Sequence, residues 1–566
     1  MIDFPTFAAA FHAHKASNPN TCVFLGLDKN LDRLPDPSES AAFDEVESAR
    51  RLLVQLDDVE APDFDTRLDL DLARLSLERD ISELTRLLNG DHEPTQKPRA
   101  SDGIGDGIFM MFINDPRPGK DRLSDILSRL AHVPDYLEAT LERLDTPVER
   151  WVAMDLEKAE GLPELIETLV AWGDELAFPD KARLRSVADQ AISALASYRV
   201  RLAAMPTSTN IHLGDEESRR TVALRGIELP LEELHGIARD FLARTHETLD
   251  DLRARLVHRH KLPADTTLAG LHTWLNERYR LKVPADQLDK VLEAYEDERA
   301  RILSFIRERD LFPILDRQDM KILRTPPFME PSIPAGAMVG PAPFREGIRR
   351  SLVYLTLSSE LLDEHTRLGI PNMMIHEGIP GHHLQLATAS THPSIIRRHF
   401  DATDLAEGWT TMLEDYILDL DYMGELTDEA RFVAKREICR LGARVGIDLF
   451  FMTGDKRFLD LGVDVDISSS DPFVAAGNLL QSLTGFVPGR VQAELNWYSQ
   501  ERGYPLSYLT GNHLVWALKR DVIEAQRGKL EGLALDRAFH RTFLHAGNMP
   551  LPYLRRVFAH EGLIPA

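Results

Sequence analysis

Apolar residues recur at three- and four-residue intervals through most of the first 310 positions. The segments "FDEVESARRLLVQLDD" (43–58), "TRLDLDLARLSLERDISELTRLL" (66–88) and "LSDILSRLAHVPDYLEATLERL" (123–144) all show this spacing. So do "KARLRSVADQAISALASYRVRLAAM" (181–205) and "PLEELHGIARDFLARTHETLDDLRARLVHRH" (230–260). A stripe of this period is the mark of an amphipathic helix with one buried face. Starts are signed by Ser, Asp or Pro, as in "LPADTT" (262–267) and "VPADQL" (283–288). Between them, "SDGIGDGIFMMFINDPRPGK" (101–120) is interrupted by glycine and proline. It is expected not to form one regular element, and "GIGDGIF" (103–109) reads as a turn.

The pattern changes near Leu311. "LRTPPFMEPSIPAGAMVGPAPF" (323–344) reads as loop or short strand, and "RRSLVYLTLSS" (349–359) is the best strand candidate. Such a strand offers an edge along which an extended peptide would pair. Helical periodicity then resumes to the end. The expected fold is mainly α: a large two-lobed helical body with a small β-sheet. Residues 1–310 form a helical N-terminal region, and 311–566 carry the candidate chemistry. The two are expected to be one continuous body with an intervening cleft.

Composition narrows the function classes. The chain has 566 residues, 43% hydrophobic and 28% charged, with a formal net charge of −25. Phosphate affinity needs basic stripes, so no nucleic-acid partner is expected. Only Cys22 and Cys439 occur, far apart, which suits a reducing compartment and rules out a thiolate zinc cluster. No stretch approaches the ~20 apolar residues of a membrane span, and the first residues lack a basic n-region followed by an apolar stretch. A cytoplasmic protein with no membrane partner is expected; the oligomeric state is left unassigned.

One segment carries candidate chemistry: "NMMIHEGIPGHHLQ" (372–385). In a zinc-peptidase helix, two histidines four residues apart share a face, and the Glu after the first acts on water at the metal. Here His376 and Glu377 begin that pattern, but the fourth position on is Pro380. His382 at i+6 would sit about 120° around a straight helix, and His383 at i+7 roughly 10 Å further along it. Neither suits one small tetrahedral ion. Pro380 must open the helix, and Gly378 and Gly381 tolerate the backbone that a looped turn requires. Absorbing two residues there would bring His382 to where an i+4 histidine sits. His383 is the rival ligand on these residues alone. Three further His-Glu pairs, at 92–93, 246–247 and 560–561, lack a nearby second histidine and read as surface pairs.

Downstream, "DLAEGWTTMLEDYILDL" (404–420) presents Glu407 on a second apparent helix, 25 residues after His382. A His/His/Glu set leaves a fourth coordination position open for water. Glu414, seven residues on and on the same face, is placed to orient a ligand or meet substrate.

The set His376-Glu377, Pro380-Gly381-His382, Gln385 and Glu407-Gly408-Trp409 resembles the bacterial domain-of-unknown-function 885 family. "GYPLSYLTG" (503–511) and "FLHAGNMPLPYLRRV" (543–557) are also similar to its C-terminal segments. The likeness is specific over roughly 320–566. The chain departs from it at "RVGIDLFFMTG" (444–454), where the family often carries Asp-Thr-Gly-x-His. The family is grouped with gluzincin-type metallopeptidases such as carboxypeptidase Taq and angiotensin-converting enzyme. The resemblance implies a gluzincin-like zinc helix beside the small sheet, with Zn2+ held by His376, His382 and Glu407. It implies Glu377 as general base, Tyr508 as donor to the charged oxygen, and a small peptide or amide substrate. The alternatives are a zinc amidase or esterase on a non-peptide substrate, or a non-catalytic helical binding protein.

Overall fold

The computed structural model describes residues 2–284, 287–325, 336–357 and 365–565. Residues 285–286 of "VPADQL", 326–335 of the Pro/Gly-rich stretch and Ser358-Ser359 of the strand candidate lie outside them. The chain is mainly α-helical and forms two compact units. The first comprises Met1–Leu213 with Ala342–Glu346 and Pro393–Phe400; the second comprises Gly214–Pro341, Gly347–His392 and Asp401–Ala566.

In the first unit the helical periodicity is realised directly. Helix Glu39–Leu56 buries Val46, Ala49, Leu52 and Leu56, and helix Lys181–Ala203 buries Leu184, Val187, Ala188, Ala191, Leu195, Tyr198 and Leu202. Side-chain caps fix two starts: Ser38 Oγ accepts from Ala41 N, and Asp63 Oδ1 accepts from Thr66 N.

Two local expectations are corrected here. "GIGDGIF" is not a turn; it lies inside the helix Ala100–Ile113. Its glycines are there for space. A Cβ on Gly103 would fall 1.9 Å from the Tyr136 hydroxyl, and one on Gly107 2.2 Å from Asn20 Oδ1. The helix tolerates the ~1 kcal/mol propensity cost of each glycine because neighbouring groups close on it. The pair His92-Glu93 is not a surface pair either. Asn89-Gly90, both at positive φ, turn a short hairpin between β1 (Leu87–Leu88) and β2 (Asp91–His92). Glu93 follows it into the interior and pairs with Arg86.

In the second unit, helix Leu231–His260 lies along Thr427–Thr453. A Cβ on Gly442 would meet Leu242 Cγ at 2.6 Å, so the two axes approach closely. The change of texture at Leu311 falls within this unit, where helix Asp289–Arg309 gives way to sheet. Strand β3 (Gln318–Arg324) runs parallel to β5 (Arg349–Leu355), with Gln318 opposite Arg349. Strand β4 (Gly336–Val339) pairs antiparallel on the other side, with Val339 opposite Leu352. The strand read in "RRSLVYLTLSS" is therefore the central one. Both its edges are taken, so it cannot pair with an incoming peptide; among the described residues the sheet's edges belong to β3 and β4. Met320, Ile322, Val353 and Leu355 pack with Tyr295 of helix Asp289–Arg309 and with Ile370 and Met374 of helix Gly369–Glu377. The sheet is thus the floor against which the first histidine helix is fixed.

No helix among the described residues is long and apolar enough to cross a membrane.

Candidate metal centre

The segment 369–389 is two helices, Gly369–Glu377 and His382–Ala389, joined by a tight turn over Gly378–Gly381. The first ends with Gly378 N donating to Met374 O, and the second begins with Gln385 N donating to Gly381 O. The break expected at Pro380 is therefore complete, a change of helix more than a widened turn. The glycines have negative φ and serve by their bareness. A Cβ on Gly381 would lie 1.9 Å from His376 O and 2.2 Å from Ile375 O. The second helix can start only because nothing projects into the last turn of the first. Trp409, fully buried, donates from Nε1 to Pro380 O at 2.9 Å and so ties the turn to the helix Thr403–Asp419.

That turn sets the imidazoles of His376 and His382 edge to face, with ring centroids 4.8 Å apart. Their Nε2 atoms lie 3.4 and 3.5 Å from Glu407 Oε2. The three groups offer ligand atoms all within 4.8 Å of one another. All three side chains are at least seven-eighths buried, yet Glu407 Oε2 has no hydrogen-bond partner, and neither does His382 Nδ1. Buried polar atoms are ordinarily paired. A carboxylate oxygen left facing two imidazole nitrogens is the arrangement a cation would complete. Two histidines and one carboxylate match the donor preference of zinc.

The expected third glutamate, Glu414, is one turn-pair along the same helix and faces the same way. His376 Nδ1–H donates to Glu414 Oε1 at 2.7 Å, and Asn372 Nδ2 donates to Glu414 Oε2 at 3.0 Å. With Nδ1–H held by Glu414, Nε2 is the ring atom turned to the cluster, the usual role of a carboxylate behind a ligand histidine. Burial works against charge on His376, but Glu407 and Glu414 lift its pKa to about 10. Burial likewise pushes the Glu407 carboxyl up, and the two imidazoles, His382 foremost, hold it far below the usual carboxylate range. The pocket demands positive charge. Removing the Glu414 carboxylate (Glu414→Ala) is expected to weaken metal binding ~10–100-fold while the other ligands stay in place. Competition with a chromophoric chelator measures it, and unchanged affinity would deny Glu414 this role.

His383 points elsewhere. It is fully buried, its Nδ1 bonded to Ser351 Oγ of β5 at 2.7 Å and its Nε2 to Gln318 Oε1 of β3 at 2.6 Å. Burial lowers its pKa to about 4, so it stands neutral as a bolt between helix and sheet. Glu377 is half-buried beside His376, to which its charge contributes. Tyr508, half-buried near the start of helix Ser507–Gln526, lies beside Glu407. Burial first, and that carboxylate next, push its hydroxyl well above the ordinary tyrosine range, so it remains a proton donor. The structure therefore gathers His376, His382 and Glu407, with Glu377 and Tyr508 at their margin.

Sequence reasoning missed a second buried cluster next to Tyr508. Arg444, on helix Thr427–Thr453, places its guanidinium carbon 4.5 Å from the Tyr508 ring centroid and bonds Tyr498 and Glu494. The signal available was a pair of charged residues, Arg444 and Asp448, amid apolar neighbours in "LGARVGIDLFF" (441–451), a segment buried throughout. Further along, Asp448 accepts from Gly503 N and Leu506 N, fixing the turn that leads into the tyrosine helix.

The family described as "Bacterial protein of unknown function (DUF885)" matches residues 19–558. Two solved structures have the same fold over nearly their whole length. One, from Shewanella oneidensis, is titled a "putative lipoprotein of unknown function". It is 16% identical, with a TM-score of 0.76, and the match covers 99% of this chain and 100% of that one. The other, titled a "putative lipoprotein" from Colwellia psychrerythraea, is 16% identical with a TM-score of 0.79 and covers 98% of each chain. At that identity the likeness is one of fold alone. No curated protein matches.

Proposed function

The chain belongs to the bacterial DUF885 family, and from the three convergent donor groups we propose that it is a zinc-dependent hydrolase of short peptides. The observation that carries this reading is the unpartnered Glu407 Oε2 facing the Nε2 atoms of His376 and His382. The gluzincin-like motif order, His-Glu followed by a later Glu on a second helix, supports it.

His376, His382 and Glu407 would hold the zinc, which when bound supplies a Lewis acid and brings a water's pKa down to about 7. Glu377 takes the proton from the attacking water and passes it to the leaving nitrogen. Water thereby adds across the amide C–N bond: hydroxyl to carbon, proton to nitrogen. Tyr508 donates its hydroxyl hydrogen to the carbonyl oxygen as that oxygen gains charge. Glu414 bonds His376 Nδ1 and so orients its ring, and the sheet packed on Ile370 and Met374 holds the helix Gly369–Glu377 that carries it.

The test is direct. Zinc-loaded protein incubated with a randomised mixture of short peptides should generate new peptide ends, and 1,10-phenanthroline should abolish them. No cleavage by protein carrying stoichiometric zinc would overturn the reading. The cytoplasmic location is kept as part of the proposal on the strength of two free, buried cysteines. Cell fractionation checks it, and recovery with the membrane fraction would contradict it.

A further inference from the structure

Arg444 is 7% exposed and carries a charge that no accessible pH removes. Such a group is costly to bury unless its donors are met. Its Nε donates to the Tyr498 hydroxyl at 2.9 Å, and its Nη2 to Glu494 Oε2 at 3.0 Å. The Tyr498 hydroxyl in turn donates to Glu494 Oε2 at 2.6 Å, closing that side of the network. Nη1, with two N–H groups, has no acceptor among the described residues and is not sealed from solvent. Three aromatic rings fix the guanidinium: its central carbon is 4.5 Å from the Tyr508 centroid, 5.2 Å from Trp497 and 5.6 Å from Tyr498. An arginine clamped in this way presents its free edge in one direction, which suits a planar anion.

The place of this edge gives it meaning. One tyrosine ring separates the guanidinium from Glu407, since the Tyr508 ring lies against Arg444 and its hydroxyl beside Glu407. That separation is on the order of one or two residues of extended chain at ~3.3–3.6 Å each. We propose that Arg444 binds the free C-terminal carboxylate of a short peptide, so that the candidate centre removes residues from the C-terminal end. This rests on the hydrolase reading for the cleavage step, but the binding step stands apart from it.

Binding is therefore what the experiment reads. Zinc-loaded Glu377→Gln protein, chosen to suppress hydrolysis, is offered a randomised mixture of N-acetyl tripeptides, half as free acids and half as C-terminal amides. The retained peptides are counted by mass spectrometry. The acids should be enriched ~10-fold or more, the effect of one hydrogen bond to a charged group. Adding Arg444→Gln should bring the ratio near one, and Arg444→Lys, which keeps the charge, should leave an intermediate ratio. Equal retention of acids and amides overturns the proposal. So does an enrichment that both Arg444 variants leave intact, or a selection of amides ending in Asp or Glu. Wild-type protein that cleaves acids and amides alike removes this inference and keeps the hydrolase. Acid-selective retention by a protein that cleaves nothing does the reverse.

Discussion

Replacing Glu377 by Gln should lower peptide hydrolysis by ~10²–10⁴-fold while leaving zinc bound, the span by which a positioned general base accelerates proton transfer. Gln matches Glu in size and can still hydrogen-bond, but it cannot accept a proton from water. Glu377 is the residue after His376 in the last turn of helix Gly369–Glu377 and stands outside the group of convergent donors. Its loss therefore leaves His376, His382 and Glu407 as they are. Turnover and zinc content measured on the same preparation separate the roles. Loss of zinc together with activity would make Glu377 a ligand, and retained turnover would deny it the role of base.

Gly408→Ala should be among the most damaging substitutions in the second unit, although it adds one methyl group. Helices Thr403–Asp419 and Ser507–Gln526 cross at Gly408 and Gly511. A Cβ on Gly408 would lie 2.4 Å from the Gly511 carbonyl carbon and 2.6 Å from its oxygen; one on Gly511 would lie 2.0 Å from Asp404 O. Every near atom is backbone, so no rotamer change relieves the clash and the axes must part. Overpacking of this kind costs ~1–3 kcal/mol, with the upper end expected where both sides are main chain. The separation also parts Glu407 on one helix from Tyr508 on the other, and strains the bond from Asn512 Nδ2 to Thr411 Oγ1. A lower denaturation midpoint and weaker zinc binding should appear together. Gly489→Ala, where nothing lies within 4 Å of the added carbon, serves as the control and should change neither. An unshifted midpoint in Gly408→Ala would show that the helices are not in contact there.

How far the sequence reveals this molecule depends on the range of the forces involved. The long helices were legible because a stripe of apolar residues reports a local periodicity, as in Leu184 to Leu202. The glycines of "GIGDGIF" misled because their cause is distant: Tyr136 and Asn20 crowd a helix that local propensity would break. Glu93 looked exposed because its partner Arg86 meets it only after the hairpin turns the chain back. The strand in "RRSLVYLTLSS" was visible, whereas its central place between β3 and β4 depends on pairing that composition does not encode.

The same division holds at the site. The meeting of His376 with Glu407 follows from motif order and the break at Pro380 from helix geometry, whereas the reason for Gly381, the lack of room for a Cβ beside His376 O, appears only in the packing. The residues alone left His382 and His383 as rivals. What separates them in space is Ser351 and Gln318, which hold His383 from strands 32 and 65 residues away. Arg444 was silent because its stretch of the helix, 441–452, is buried on every side and has no polar face to set off the charges of Arg444 and Asp448.

The proposed hydrolase requires one zinc held by His376, His382 and Glu407. Elemental analysis of untagged protein, beside His382→Ala and His383→Ala, reads whether it is there. About one zinc per wild-type chain is expected, lost in His382→Ala and kept in His383→Ala, whose cost falls on stability through the broken ties to Ser351 and Gln318. Wild-type protein with no stoichiometric metal after zinc is added back, or zinc that persists without His382, would contradict it.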